Sequence, residues 1–135
     1  MYIYEPWIKE AYENAVMFTD EGIFVKVHVV IEKEDDLYSA HCLEFDLVGE
    51  GETISEAQQS ILDNIKNHIS FAISKGLFHK IIDPAPPEYW NKLLRSKLLN
   101  PIELQPEIRT SDTPAKFPFL ENLTGKIDSY EFCYA

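Results

Sequence analysis

Seven apolar side chains, Ile54, Ala57, Ile61, Ile65, Ile69, Ala72 and Ile73, recur at spacings of three and four. They draw one stripe along about five turns of a helix. A helix with a single apolar stripe must lay it against another element, so this stretch demands a partner layer from the rest of the chain. Both ends are punctuated. Thr53 and Glu56 have the spacing of a capping box, in which the hydroxyl accepts from a backbone N–H three residues on and the carboxylate reaches back. Lys75 suits the negative end of the helix dipole, and Gly76 can take the left-handed conformation that ends it. Gly51, just ahead of the cap, suits a sharp turn from a strand into the helix because it has no Cβ.

The cover is predicted upstream. In IFVKVHVVIE, Ile23, Val25, Val27, Val29 and Ile31 alternate with other residues at the period of a strand. After the polar turn Lys33-Glu34-Asp35-Asp36, LYSAHCLEF sets Tyr38, Ala40 and Cys42 against Leu37, Ser39, His41 and Leu43. A four-residue loop at 33–36 would put Ile31 opposite Tyr38, Val29 opposite Ala40 and Val27 opposite Cys42, with both apolar sets on one face. A third strand is expected from about Phe45 to Glu50. Another, NAVMFT, enters through the short Asp20-Glu21-Gly22 loop.

Past Lys80 the punctuation changes. In DPAPPEYW, Pro86 and Pro87 fit the first turn of a helix running to about Leu99, with Trp90, Leu93, Leu94, Lys97 and Leu98 on one face and Asn100-Pro101 as its stop. Pro101, Pro106, Pro114 and Pro118 predict an irregular, extended wrap over 101–125. KIDSYEFCYA alternates again and reads as a final strand. The expected fold class is α+β: a β-meander of three to four antiparallel strands, one long amphipathic helix on one face, and a C-terminal helix and terminal strand. With 45% hydrophobic residues in 135, the chain can build one core, so residues 1–135 are expected to form a single domain.

No run of about 18 apolar residues occurs, and MYIYEPWIKE lacks the basic start and apolar stretch of a secretory signal. The expected setting is soluble and cytoplasmic, with no membrane contact. Cys42 and Cys133 have no CxxC spacing and read as reduced thiols, unless the terminal strand lies beside Cys42. The net charge of −11 argues against sequence-independent binding to a phosphate backbone. The charge is uneven: residues 1–59 carry 14 acids and 3 bases, whereas residues 60–100 carry 3 acids and 6 bases. The basic block reads most simply as solvated helix faces. Its alternative use is single-stranded RNA contact through Lys66, Lys92, Arg95 and Lys97, with Tyr89 and Trp90 as stacking platforms.

The run from VHVVIEKEDDLYSAHCLEFD through GETISEA into the helix resembles the N-terminal domain of HicB-type antitoxins. There a hairpin reading roughly Y-x-A-x-C-P-D-L leads to G-D-T-x-x-E-A. Tyr38, Ala40, Cys42, Gly51, Thr53, Glu56 and Ala57 occupy the matching places, and Glu52 stands where Asp is usual. The resemblance covers residues 22–80. It implies a small β-β-β-α-β fold of degraded ribonuclease H-like type, without catalysis or cofactor, that blocks a small basic HicA-like ribonuclease toxin. The extension 81–135 contains no recognisable DNA-binding motif, and Leu43-Glu44-Phe45-Asp46-Leu47 replaces the family's Pro-Asp-Leu-Pro-Gly turn.

Glu44, Asp46, Glu50 and Glu52 are the expected partner-binding acids. Glu44 and Asp46, two apart on a predicted strand, would share a face and with Glu52 could hold divalent metal in a nuclease site. A solvated acidic edge that discourages stray strand pairing is the simpler reading. The derived register also makes His28 and His41 cross-strand neighbours. A third zinc ligand is lacking at obvious spacing, so no metal is expected. Finally, a second sheet face carrying Phe24, Val30, Leu37, Leu43 and Phe45 would be left bare by a single helix, from which a homodimer is expected.

Overall fold

In a computed structural model, residues 2–20, 22–105 and 123–133 are described. The fold is α+β. Its centre is a pair of long parallel strands, β2 (Gly22–Glu34) and β7 (Leu123–Phe132), paired from Ile23↔Leu123 to Glu32↔Phe132. Each carries short antiparallel strands on its outer side. On β2 these are β1 (Val16–Thr19) at one end and β3 (Leu37–Cys42) at the other, with β4 (Leu47–Gly51) beyond β3. On β7 they are β6 (Ile102–Leu104) and β5 (Ser96–Leu98). The result is a seven-stranded sheet whose main order is β4-β3-β2-β7-β5.

The predicted long helix, α2 (Ile54–Lys75), buries Ala57, Ile61, Ile65, Ile69 and Ala72 against Val25, Val27, Val29, Ile31, Ala40, Cys42 and Ile127. Its cap is as the spacing indicates. Thr53 Oγ1 accepts from the Glu56 N–H at 3.1 Å, and the Glu56 carboxylate accepts from the Glu52 N–H at 2.8 Å, one residue before the cap. Gly76, at φ 67°, ends the helix in the left-handed conformation. Gly51 serves close approach. A Cβ there would lie 2.5 Å from the Ala57 nitrogen, and one on Gly49 would lie 2.6 Å from that of Ile61. The two glycines let β4 run directly against the backbone of α2.

The other sheet face has its own small core. α1 (Pro6–Glu13), which alternation upstream did not reveal, and α3 (Pro87–Asn91) enclose Ile8, Val30, Leu43, Ala85, Trp90 and Phe132. Phe45 lies in the α2 core instead. Val30 and Leu43 are therefore covered within one chain, whereas Leu37 is 42% exposed and Phe24 is partly exposed. Among the described residues no helix is long and apolar enough to cross a membrane.

Four local expectations need correction. The β2–β3 hairpin turns on Asp35 and Asp36 alone, with Asp35 left-handed at φ 56°, so Ile31 faces Ala40 and Val29 faces Cys42. The slip from the expected register is two residues, an even number, which leaves every side chain on its expected face. Residues 43–46 form a turn, so the third strand starts at Leu47. The C-terminal helix stops at Asn91, continues as a 3-10 turn (Lys92–Arg95), and becomes β5, because β7 offers an edge to pair with. The expected irregular wrap contains β6 at 102–104, while Pro106, Pro114 and Pro118 lie outside the described residues.

Candidate functional site

The sheet face away from α2 carries two polar depressions, one on each side of the Trp90 core. The first is created by a gap in the sheet. β1 pairs with β2 as far as Val25, and β3 begins opposite Val29. Between them, the Lys26 N–H donates to the Ala15 carbonyl at 2.8 Å and the His28 carbonyl accepts from the Leu43 N–H at 3.0 Å. Among the described residues the His28 N–H has no strand partner on that side. It donates instead to Glu44 Oε1 at 2.8 Å, while Glu44 Oε2 meets His28 Nδ1 at 2.6 Å.

Glu44 is thus 0% exposed, with both oxygens bonded to His28. A buried carboxylate is tolerated only when paired and hydrogen-bonded in this way. Burial pushes its carboxyl above the ordinary value, against the hydrogen bond and charge of His28, which pull it down. Burial alone would lower His28, but the hydrogen bond to Glu44 and its charge outweigh this and leave the imidazole raised. The ring stacks on Tyr130 at 6.1 Å and lies 6.4 Å from Trp90. With Nδ1 bound to Glu44, Nε2 is the nitrogen left for outside contacts. His28 lines a cavity of about 250 Å³ together with Lys26 and, from α1, Trp7, Glu10, Ala11 and Asn14. Chemically, this imidazole can donate or accept a proton at Nε2. Among the described residues no Ser, Thr or Cys hydroxyl or thiol lines the cavity.

The second depression, about 420 Å³, is a groove bounded by Glu32, Glu34, His41, Asp46, Glu50 and Tyr89. Asp46, left-handed at φ 52°, holds His41 Nε2 at 2.7 Å, and the His41 ring packs edge-on against Tyr89 at 5.0 Å. The Lys92 ammonium sits at the rim, 2.8 Å from Glu32 and 5.3 Å over the Tyr89 ring.

Of the expected partner-binding acids, Asp46 and Glu50 line this groove. Glu44 is sealed beneath the sheet gap, and Glu52 is exposed just before α2. Glu44 and Asp46 do not share a strand face, because the turn at 43–46 breaks the two-residue period. Among the described residues no three His, Cys, Asp or Glu side chains come together as metal ligands. His28 and His41 are not cross-strand partners, since His41 faces Val30. Cys42 is buried and Cys133 exposed, both free, with β2 between their strands.

The proposed RNA platform is dispersed. Trp90 is 0% exposed and donates its indole N–H to the Ala85 carbonyl at 3.0 Å, so it cannot stack on a base. Tyr89 faces the acidic groove, Lys92 is paired with Glu32, Arg95 lies over Phe132 at 5.3 Å, Lys97 is on β5, and Lys66 is on α2 behind the sheet. The groove acids Glu32 and Glu34 were missed, although the alternation of β2 runs on through them: both share the face of His28. No family model, curated protein or solved structure matches the chain.

Proposed function

We propose that the protein is a non-catalytic binding protein of the HicB-like antitoxin kind, which holds a small basic protein such as a HicA-like ribonuclease toxin in its acidic groove. The observation that carries this reading is the groove itself: Glu34, Asp46 and Glu50 converge beside an aromatic ring on an otherwise uncovered part of the sheet. Lys92 shows in miniature how a partner lysine would be received, between a carboxylate and the face of Tyr89. Within residues 22–80 the order β2-β3-β4-α2 agrees with the first four elements that the resemblance implies; the strand beside β2 is β7, which follows only after α3, β5 and β6. Acidic residues here would raise the rate of encounter with a basic partner more than the final affinity.

The test is capture from native cells at low salt, with wild type and the triple variant Glu34→Gln, Asp46→Asn, Glu50→Gln run side by side. The expected result is a small basic ribonuclease retained by wild type, inhibited by it in an RNA-cleavage assay, and lost from the variant. Equal retention by both proteins, or no inhibition of RNA cleavage, overturns the reading.

A further inference from the structure

The cavity between α1 and β2 is built from two walls of opposite charge. On the strand wall, Lys26 and His28 are two residues apart and so point to one side. On the helix wall, Trp7, Glu10, Ala11 and Asn14 follow spacings of three and four and so share one face. Among the described residues neither Lys26 nor Glu10 makes an ion pair, although both border the same space. Of the other charges nearby, Asp128, beside His28 on β7, pairs with Lys126 at 3.4 Å, and the Glu44 carboxylate lies behind the imidazole at 2.6 Å.

The other half of the argument is Glu44. A carboxylate with no exposure, whose two oxygens both meet His28, fixes that imidazole with Nδ1 inward and Nε2 outward. We propose that this cavity binds a small amino carboxylate, its carboxylate held by His28 Nε2–H and the Lys26 ammonium, its ammonium by Glu10, and its carbon chain against Trp7 and Ala11. A ligand with one charge satisfies one wall and meets a like charge on the other; a zwitterion satisfies both. The volume, about 250 Å³, falls below the roughly 300–1,000 Å³ of sites for drug-sized ligands, which confines the occupant to a few carbons.

The probes are glycine and alanine for an α-amino carboxylate, β-alanine and 4-aminobutyrate for an ω-amino one, and acetate and ethylammonium as the separate halves. Each is titrated into the full-length protein while the His28 ring nitrogens and the Trp7 indole are followed by NMR. At least one zwitterion is expected to give saturable shifts at about tenfold lower concentration than either half, and Glu10→Gln and Lys26→Met are each expected to weaken it about tenfold. Both residues are exposed, so an unchanged Tm verifies that the variants fold. Which zwitterion saturates first assigns the α- or ω-amino class. Saturation by acetate alone at the same concentration overturns the proposal in favour of a plain anion site. So does the absence of shifts at zwitterion concentrations on the order of 50 mM, about fiftyfold above a millimolar dissociation constant. Because the acidic groove is a separate depression, failure here leaves the partner reading untouched.

Discussion

Glu44→Met removes both carboxylate oxygens while keeping the length and most of the volume of the side chain. Two donors then lose their acceptors: the His28 N–H, at 2.8 Å, and His28 Nδ1, at 2.6 Å. Each buried donor left unmade costs about 1–3 kcal/mol, and breaking one half of a buried ion pair costs about 3–5 kcal/mol, so the two routes agree on a loss of about 3–5 kcal/mol. For a chain of 135 residues, 1 kcal/mol moves Tm by about 3–5 °C, which gives a fall of roughly 9–25 °C. The assay is urea and thermal unfolding at pH 6, followed by circular dichroism. Glu44→Gln is the companion, since its amide can still accept from the backbone N–H and donate to an unprotonated Nδ1; about 1 kcal/mol is expected. A loss below about 1 kcal/mol in Glu44→Met would refute the reasoning, because the carboxylate would then not be holding the gap in the sheet.

The pH dependence of stability follows from the same pair. Both groups have folded pKa values raised from their ordinary 4.5 and 6.5, so folding favours the protonated form of each. The stabilisation from Glu44 is complete below 4.5 and that from His28 below 6.5, and both decline as pH rises through the folded values. Relative to the double variant Glu44→Gln, His28→Gln, wild type is expected to lose stability between pH 5 and 8 in urea titrations; a flat difference contradicts this. In Gly49→Ala, the new Cβ would lie 2.6 Å from the Ile61 nitrogen and 2.8 Å from Ser60 Oγ. Backbone must move apart, at about 1–3 kcal/mol, read as a lower urea midpoint with unchanged slope.

The legible parts of this fold were those decided within one element. The stripe and caps of α2 and the alternation of β2 follow from residues at fixed local spacing, and the structure has them where the spacing puts them. Parity also survived an error, because a two-residue turn in place of a four-residue one moves the β3 register by an even step. What was hidden depended on distant chain. The pattern at 92–98 reads as helix locally, yet β7 supplies a free edge and draws Ser96–Leu98 into the sheet. β7 itself could be placed as a strand, but not as the parallel neighbour of β2 along ten paired positions. The covering of the second face by α1 has a local signal in Trp7, Ile8, Ala11 and Tyr12, at helical spacing behind Pro6.

The site was less legible than the fold because its central residue owes its environment to an interruption. Two short strands share one side of β2, and where neither reaches, a backbone donor needs a partner. Any acceptor would satisfy that donor, an amide or a hydroxyl included. A carboxylate has a second oxygen to place, and here it falls on the imidazole of the residue whose backbone it already binds. The structural demand of the gap and the orientation of His28 are therefore met by one side chain, Glu44. They separate experimentally. In His28→Gln the bond from the residue-28 N–H to Glu44 Oε1 can persist while the imidazole is gone, so the sheet should hold and the Nε2 contact should vanish. If unfolding of that variant matched Glu44→Met, the imidazole rather than the gap would be the reason for the buried carboxylate.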